Sequence, residues 1–330
     1  MPQGLIIVIG LALSFALLNG IHDASNVVAT MISSRAFSPR AALSLTAVTA
    51  FAGPFFFGVA VAQTIGDQVV QSKALNLEVV AACLMGAILW SLITWFFGIP
   101  SSSSHALIGG LIGAVLAGAG IQALKLDGLV VVLVALFTSP LLGFVGGFLI
   151  TRLIYFLVSA ASPRINAWFK RGQMLTALAL AFSHGTNDAS KTMGMITLSL
   201  VIGGSLGAFR VPLWVIAASA GAFAVGISFG GWRMIRTLGG GIYRIRPLHG
   251  FATQLTASIV ILGASLFGLP ISTTQIVSSA IVGVGSSESF AKVRWSVVGD
   301  IMTAWLITIP CSAALAAAVL WLLTSTTGLP

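Results

Sequence analysis

The sequence carries very few charged residues. Of its 330 residues, 16 are Lys or Arg and 7 are Asp or Glu, so charged side chains make up 7% of the chain. Soluble globular proteins contain about 25% charged residues. So few charges could not cover the surface of a soluble protein of this length, and a soluble fold is therefore excluded.

Cysteine is also scarce. Cys83 and Cys311 lie within apolar stretches, where a thiol is typical of a small buried hydrophobic residue and not of a disulfide or a metal site. A basic segment before the first apolar run is missing as well. We therefore expect Met1–Ser34 to remain in the mature protein, because a cleaved signal peptide begins with such a segment.

The sequence consists mainly of long hydrophobic segments, and 57% of its residues are hydrophobic. Ten apolar runs cover residues 4–34, 41–65, 77–98, 105–123, 129–160, 173–204, 212–230, 248–268, 276–285 and 296–324. A membrane-spanning helix needs about 20 residues, so four of these runs are too long and the run 276–285 is too short. Such lengths are typical of discontinuous or re-entrant transmembrane helices.

The positions of the basic residues predict an orientation. If each run crosses the membrane once, twelve Lys or Arg residues fall on one side: Arg35, Arg40, Arg152, Arg164, Lys170, Arg171, Arg233, Arg236, Arg244, Arg246, Lys292 and Arg294. Only Lys73, Lys125 and Arg210 fall on the other. The positive-inside rule makes the first side cytoplasmic. We therefore expect a multi-pass protein of the cytoplasmic membrane with both termini outside, whose net charge of +9 reflects topology and not binding of nucleic acid.

The two halves of the sequence resemble each other. Gly20-Ile-His-Asp-Ala-Ser-Asn26 matches Gly185-Thr-Asn-Asp-Ala-Ser-Lys191 at an offset of 165 residues. Phe97-Gly-Ile-Pro-Ser-Ser-Ser-Ser-His105 matches Phe267-Gly-Leu-Pro-Ile-Ser-Thr-Thr-Gln275 at an offset of 170 residues. A third pair, Leu136-Phe-Thr-Ser-Pro140 and Leu306-Ile-Thr-Ile-Pro310, has the same offset of 170.

This repeat predicts the fold class. Each half holds five apolar runs, an odd number, so the second half would enter the membrane from the opposite side. We therefore predict an all-α polytopic membrane protein built from two inverted-topology repeats, with broken or re-entrant helices meeting near the membrane midplane. The repeats would be residues 1–160 and 173–330, joined by a cytoplasmic loop at 161–172. Inverted repeats of this kind are common in secondary transporters, which favours a carrier over a channel.

One pair of motifs places ionisable groups inside apolar runs. The first motif contains His22, Asp23, Ser25 and Asn26, and the second contains His184, Asn187, Asp188, Ser190 and Lys191. Asp23 and Asn26 are spaced i and i+3, which puts both side chains on one face of a helical turn. Ionisable groups inside a bilayer are costly and are usually functional. Because the motif recurs at an apparent helix break in both halves, we interpret it as a transport site and not as a packing network.

The other pair of motifs is rich in hydroxyl groups. Ser101, Ser102, Ser103, Ser104 and His105 follow a proline and precede an apolar helix, as do Ser272, Thr273, Thr274 and Gln275. Ser and Thr are strong helix N-caps, and the free N–H groups of a helix start attract anions. Two such starts, from opposed repeats, could surround one tetrahedral oxyanion.

The combination of both motif pairs predicts ion-coupled uptake of a small oxyanion. An anion beside Asp23 and Asp188 would be repelled unless a cation or a proton accompanied it. These aspartates could therefore bind a co-transported cation, titrate, or accept a hydrogen bond from a protonated oxyanion. Lys191 is the sole lysine within the apolar runs, and no cofactor is expected.

The motifs GIHDASN, GTNDASK, PSSSSH and PISTTQ, together with Arg35-Ala-Phe-Ser-Pro-Arg40 and Val61-Ala-Gln-Thr-Ile65, resemble those of the inorganic phosphate transporter (PiT) family, in its compact bacterial form. The resemblance covers nearly the whole chain. It implies secondary import of inorganic phosphate across the cytoplasmic membrane, driven by a gradient of H⁺ or Na⁺. It also implies an inverted-repeat fold that forms a homo-oligomer.

Residue by residue, the resemblance implies the following roles. Phosphate would contact Asp23, Asp188 and the hydroxyls of Ser101, Ser102, Ser103, Ser104, Ser272, Thr273 and Thr274. The coupling ion would involve Asp23, Asn26, Asn187 and Asp188. We add Lys191 to this set because of its charge and not because of the resemblance. A sodium ion, if bound, would lie at Asp23, Asn26 and Asp188.

Two positions depart from the family motif. His22 and Lys191 stand where the family often has Asn, and Lys offers no oxygen ligand to Na⁺. A fixed ammonium group could replace one bound cation, which favours H⁺ over Na⁺ as the coupling ion. A sulfate permease of the same fold is the alternative, because a related branch carries sulfate.

An intramembrane hydrolase is a more remote alternative, since serines adjoin His105. Repeat two, however, has Gln275 at the position of this histidine, and no G-x-S-x-G motif precedes a helix. We therefore predict that the protein is not an enzyme.

Overall fold

A computed structural model of the chain describes residues 3–162 and 164–327. These residues form helices and connecting turns, without a β-strand among them. The helices are α1 (Gln3–Ser33), α2 (Pro39–Phe57), α3 (Ala60–Gln63), α4 (Leu77–Phe97), α5 (Ser103–Gly118), α6 (Leu126–Leu157), α7 (Ile165–Ile202), α8 (Leu213–Phe229), α9 (Trp232–Arg236), α10 (Pro247–Leu266), α11 (Thr273–Glu288) and α12 (Trp295–Thr327).

The helix lengths agree with a polytopic membrane protein. Within the described residues, six helices are long and apolar enough to span a membrane, and α8 with the bent segment after it could form a seventh span. The longest helix, α7, is not among the six and carries the second polar motif at its middle. The all-helical prediction is therefore confirmed, and each of the ten predicted apolar runs contains at least part of a helix.

The predicted breaks in the long runs are wrong. α1, α6, α7 and α12 run without interruption for 31, 32, 38 and 33 residues. Pro140 and Pro310 lie inside α6 and α12 without ending them, as membrane helices tolerate. Gly20 does not break α1, because its role is close packing: a Cβ atom there would lie 2.1 Å from the carbonyl oxygen of Phe223 in α8.

Real breaks occur after α2 and α8. Gly58 and Gly230 follow these helices with φ angles of 78° and 69°, a left-handed conformation that glycine adopts without strain. A short helix and a π-helical turn follow each break, and α8 and the segment after it are bent by 64°.

Two short helices, α5 and α11, have 16 residues each. Both are too short to cross a bilayer, whose hydrocarbon core corresponds to about 20 helical residues. Each begins at a buried serine N-cap, Ser102 or Ser272, whose hydroxyl accepts a hydrogen bond from the third backbone N–H of its helix. Their lengths agree with the predicted re-entrant helices, although the sequence identified a short run only for α11 (276–285) and not for α5 (105–123).

The same order of elements occurs twice, with α1–α6 followed by the equivalent series α7–α12. The two series are interleaved: α2 packs on α7 and α8 on α1, while α5 packs on α12 and α11 on α6. Inverted insertion of the two series stays a prediction.

One boundary differs from the sequence-based division of the chain. Much of the segment predicted as a connecting loop, 161–172, is helical because α7 begins at Ile165. The chain ends that we expect outside the cell include residues 1–2 and 328–330, which lie outside the described residues.

Candidate functional site

The two polar motifs lie on continuous helices at the centre of the protein, where α1 packs against α7. Asp23 is 2% exposed, and Asp188 and Lys191 are fully buried. Because the motifs are helical, the i, i+3 spacing brings side chains together as expected. The amide Nδ2 of Asn26 donates to Asp23 Oδ1 at 2.8 Å, and Lys191 pairs with Asp188.

Asp23 collects hydrogen bonds from both re-entrant helices. The hydroxyl of Ser103, at the start of α5, donates to Asp23 Oδ2 at 3.3 Å. The hydroxyl of Thr274, at the start of α11, donates to Asp23 Oδ1 at 2.9 Å. Thr274 also accepts a 3.0 Å hydrogen bond from Asn26. The carboxylate from the first half is thus held by residues from both halves.

The N-termini of α5 and α11 meet at equivalent positions. Ser102 and Ser272, which are 170 residues apart, have hydroxyl oxygens 2.7 Å from each other. His105 and Gln275, the next equivalent pair, have their Nε2 atoms 3.5 Å apart. Contacts between equivalent residues are the pattern expected around a two-fold axis. Both helix starts therefore point their free N–H groups and positive dipole ends into one buried region.

Other predicted site residues have local partners. Ser101 bonds to Thr94 at the end of α4, and Ser104 donates to the carbonyl oxygen of Ile271. Asn187 donates to Ser265 and to the carbonyl of Leu269, so its amide nitrogen faces α10 and not Asp23. Thr273 is 1% exposed beside Thr274.

His184 belongs to the second motif, but the sequence assigned it no individual role. It is fully buried, and its Nε2 lies 3.1 Å from Asp188 Oδ2 and 3.9 Å from Asp23 Oδ2. It therefore lies close to both aspartates. The i, i+4 spacing between His184 and Asp188 was the signal that could have identified it.

The site can hold a cation as well as an anion. One ligand atom from each of Asp23, His184 and Asp188 lies within 4.8 Å of the others, although the ammonium group of Lys191 already contacts Asp188. In this site, hydroxyls and helix N-termini suited to an oxyanion lie next to two carboxylates and one lysine.

Comparison with known proteins shows the family of this chain. The sequence model of the phosphate transporter family matches residues 19–316, a range that includes both aspartate motifs and both hydroxyl motifs. This chain belongs to the phosphate transporter family.

The relatives agree with this assignment over nearly the whole chain. A protein of Bacillus subtilis is 42% identical over 316 residues, which cover 94% of this chain and 95% of the relative. A protein of Rhizobium meliloti is 41% identical over 94% of this chain and 93% of the relative. Both are described as probable low-affinity inorganic phosphate transporters.

A solved structure described as the sodium-dependent phosphate transporter has the same fold, with a TM-score of 0.90 at 24% identity over 98% of this chain and 99% of that one. The family and the relatives are transporters and not enzymes. This finding removes the hydrolase alternative. The Ser102 hydroxyl, which lies 2.8 Å from Nδ1 of His105, is accordingly interpreted as a helix N-cap.

Proposed function

We propose that this member of the phosphate transporter family imports inorganic phosphate across the cytoplasmic membrane by secondary transport coupled to protons. The observation that carries the proposal is the convergence on Asp23 of hydroxyls from two opposed helix starts, Ser103 of α5 and Thr274 of α11. The descriptions of the relatives support phosphate as the substrate.

Phosphate would bind between the N-termini of α5 and α11. The hydroxyls of Ser102 and Ser272 contact each other there, and the backbone N–H groups of both helix starts point to the same region. A helix N-terminus is a ready-made site for an oxyanion. On binding, phosphate oxygens would take over hydrogen bonds that the hydroxyls now make to one another.

Protonation of Asp23 would couple phosphate binding to the proton gradient. As a carboxylate, Asp23 only accepts hydrogen bonds, and it holds the hydroxyls of Ser103 and Thr274 as donors. A proton on Asp23 removes the negative charge that repels phosphate. It also weakens the hydrogen bonds that Asp23 accepts from Ser103 and Thr274. The two hydroxyls can then donate to phosphate, so proton and anion binding reinforce each other.

Lys191 supports the choice of H⁺ over Na⁺. Its ammonium group pairs with Asp188, at a position where a sodium ion would need oxygen ligands. Asn26 likewise presents its amide nitrogen to Asp23 and not its oxygen. The shared fold does not decide the coupling ion, because function resides in site residues and not in the fold.

Sulfate transport remains the second candidate for the substrate. At neutral pH phosphate carries at least one proton and can donate a hydrogen bond, whereas sulfate carries none. A site built to hydrogen-bond a hydroxyl rejects analogues that lack it by factors of about 10⁴–10⁵. If Asp23 or Asp188 faces the oxyanion, arsenate will compete with phosphate and sulfate will compete poorly.

Uptake into proteoliposomes tests the proposal. We expect labelled phosphate to accumulate under an inward proton gradient, to be lost when a protonophore is added, and to respond weakly to a Na⁺ gradient alone. Asp23→Asn protein, reconstituted in parallel, should show almost no uptake. Accumulation driven by Na⁺ without a pH gradient would contradict proton coupling, and equal competition by sulfate and arsenate would favour the sulfate permease.

A further inference from the structure

Two layers of buried, hydrogen-bonded polar side chains, called here the polar column, lie between the site and one face of the protein. Its outer layer joins the end of α1 to the starts of α7 and α10. Ser34 donates to Gln173 Oε1 at 2.8 Å, and Gln173 Nε2 donates to the carbonyl oxygen of Pro247 at 2.8 Å. Gln173 is fully buried and Ser34 is 5% exposed.

A second layer lies between this outer layer and Asp23. Gln254 of α10 donates through Nε2 to Thr30 at 2.9 Å and accepts through Oε1 from Thr176 at 2.7 Å. One glutamine in each layer thus ties α10, α7 and α1 together. Ser34 lies 11 positions beyond Asp23 on the chain, which corresponds to about 16 Å of helix.

A cavity with two basic lining residues, called here the basic cavity, lies close to the outer layer along the chain. This cavity has a volume of about 430 Å³ and is lined by Ala36, Phe37, Ala167, Lys170, Arg171 and Met174. Met174 directly follows Gln173, and Ala36 lies just beyond Ser34. Positive charge at the mouth of a path raises the local concentration of anions.

Four of the five equivalent positions in the other half are apolar, and the fifth, Ser199 at the position of Ser34, is polar and buried. With the offsets of 165 and 170 residues, Gln173, Thr176 and Gln254 correspond to Val8, Leu11 and Leu84, and Thr30 corresponds to Met195. Leu84 and Met195 are fully buried, so apolar side chains can fill this position of the fold. The polar layers are therefore not needed for packing alone.

We propose that this column is the path along which phosphate moves between the site and the basic cavity, and that Gln173 and Gln254 hold it closed in the conformation seen here. The inference rests on the proposed transport of phosphate. The column contains neutral hydroxyl and amide groups that can donate hydrogen bonds to an anion. Carboxylates, which would repel phosphate, stay at the site itself.

Cysteine labelling tests the closed path. Val27 lies on the same face of α1 as Asp23 and Thr30 and is fully buried, so Val27→Cys places a thiol between the second layer and the site. In protein lacking Cys83 and Cys311, a membrane-impermeant thiol reagent is applied from the side of the basic cavity. Thr30→Val, which keeps the side-chain shape but removes the acceptor for Gln254, should increase the labelling rate about fivefold.

Gln254→Ala should increase the labelling rate at least as much, because it removes both hydrogen bonds of the second layer. The matched control is Leu84→Ala, which removes side-chain volume at the equivalent position of the other half and should leave the rate from this side unchanged. Equal rates in the unmodified, Thr30→Val and Gln254→Ala backgrounds would overturn the proposal, as would an equal increase with Leu84→Ala. Labelling is measured without phosphate, so failure of the phosphate uptake assay would count separately, against the proposed function.

Discussion

At the scale of single residues, the site is asymmetric although its two motifs are equivalent. Asp23 is bound by neutral donors, namely Asn26, Ser103 and Thr274. Asp188 is instead paired with Lys191 and lies next to His184. One aspartate thus has a permanent counter-charge inside the protein, and the other has neutral hydrogen-bond donors, which fits the proton-accepting role that we propose for Asp23.

The buried Asp188–Lys191 pair gives the first prediction. Asp188→Asn should destabilise the folded protein by about 3–5 kcal/mol, because it leaves the Lys191 charge buried without its partner. The double variant Asp188→Asn/Lys191→Met removes both charges and should recover most of this loss. The measurement is the fraction of monodisperse protein in detergent that survives heating.

Uptake separates the role of this pair in transport from its role in stability. Neither variant should transport phosphate, since both lack the second carboxylate. A double variant as unstable as the single one would show that the loss of Asp188, and not the unpaired lysine, causes the destabilisation.

The sequence predicted the ionisable residues of the site but not their connections. Asp23, Asn26, Asp188 and Lys191 could be paired from helical spacing, because that spacing fixes which side chains share a face. The contact of Ser103 and Thr274 with Asp23 joins residues far apart on the chain. Such contacts depend on how the helices are placed, and spacing carries no information about that.

At the scale of secondary-structure elements, the main difference from the prediction is that the long helices are continuous. The sequence predicts a helix break at the first aspartate motif, yet Gly20 of this motif lies inside α1 and allows α1 and α8 to approach closely. Small residues at helix interfaces have this role in membranes, where backbones must approach for van der Waals packing. Composition alone cannot distinguish a glycine that breaks a helix from one that allows close packing, because the two differ only in what lies opposite the glycine.

Two glycines of α1 give a matched pair of variants. Gly20→Ala should destabilise the protein, since the new Cβ would lie 2.1 Å from the carbonyl oxygen of Phe223 and the helices would have to separate. Gly10→Ala is the control, because nothing lies within 4 Å of its added Cβ and alanine favours helix by about 1 kcal/mol. Thermal stability in detergent measures both. Equal stability of the two variants would show that α8 adjusts to the methyl group.

At the scale of the whole molecule, the duplicated order of elements accounts for the central position of the site. Each half contributes one aspartate motif and one re-entrant helix, and the halves interleave so that α5 packs on α12 and α11 on α6. The sites of inverted-repeat transporters lie at the repeat interface. The duplication was predictable because the motifs recur in the sequence, whereas the interleaving was not, because it depends on which helices pack together.

The orientation of the two halves can be tested at one pair of equivalent residues. Gln122 and Lys292 are 170 positions apart, and each lies in a short helical turn that follows a re-entrant helix. Both are exposed. A cysteine at either position should therefore react with a thiol reagent whenever the reagent is on the same side of the membrane. Inverted repeats place them on opposite sides, and the distribution of Lys and Arg puts residue 122 outside.

We therefore expect a membrane-impermeant maleimide, added to intact cells, to label Gln122→Cys and to leave Lys292→Cys unlabelled until the membrane is opened. The background protein should lack Cys83 and Cys311. The same orientation places Lys170 and Arg171, at the mouth of the polar column, in the cytoplasm, where imported phosphate would leave. Labelling of both positions from outside would contradict the inverted repeat. The reverse pattern would keep the inverted repeat but turn the protein over, so that the column would become the entry path for phosphate.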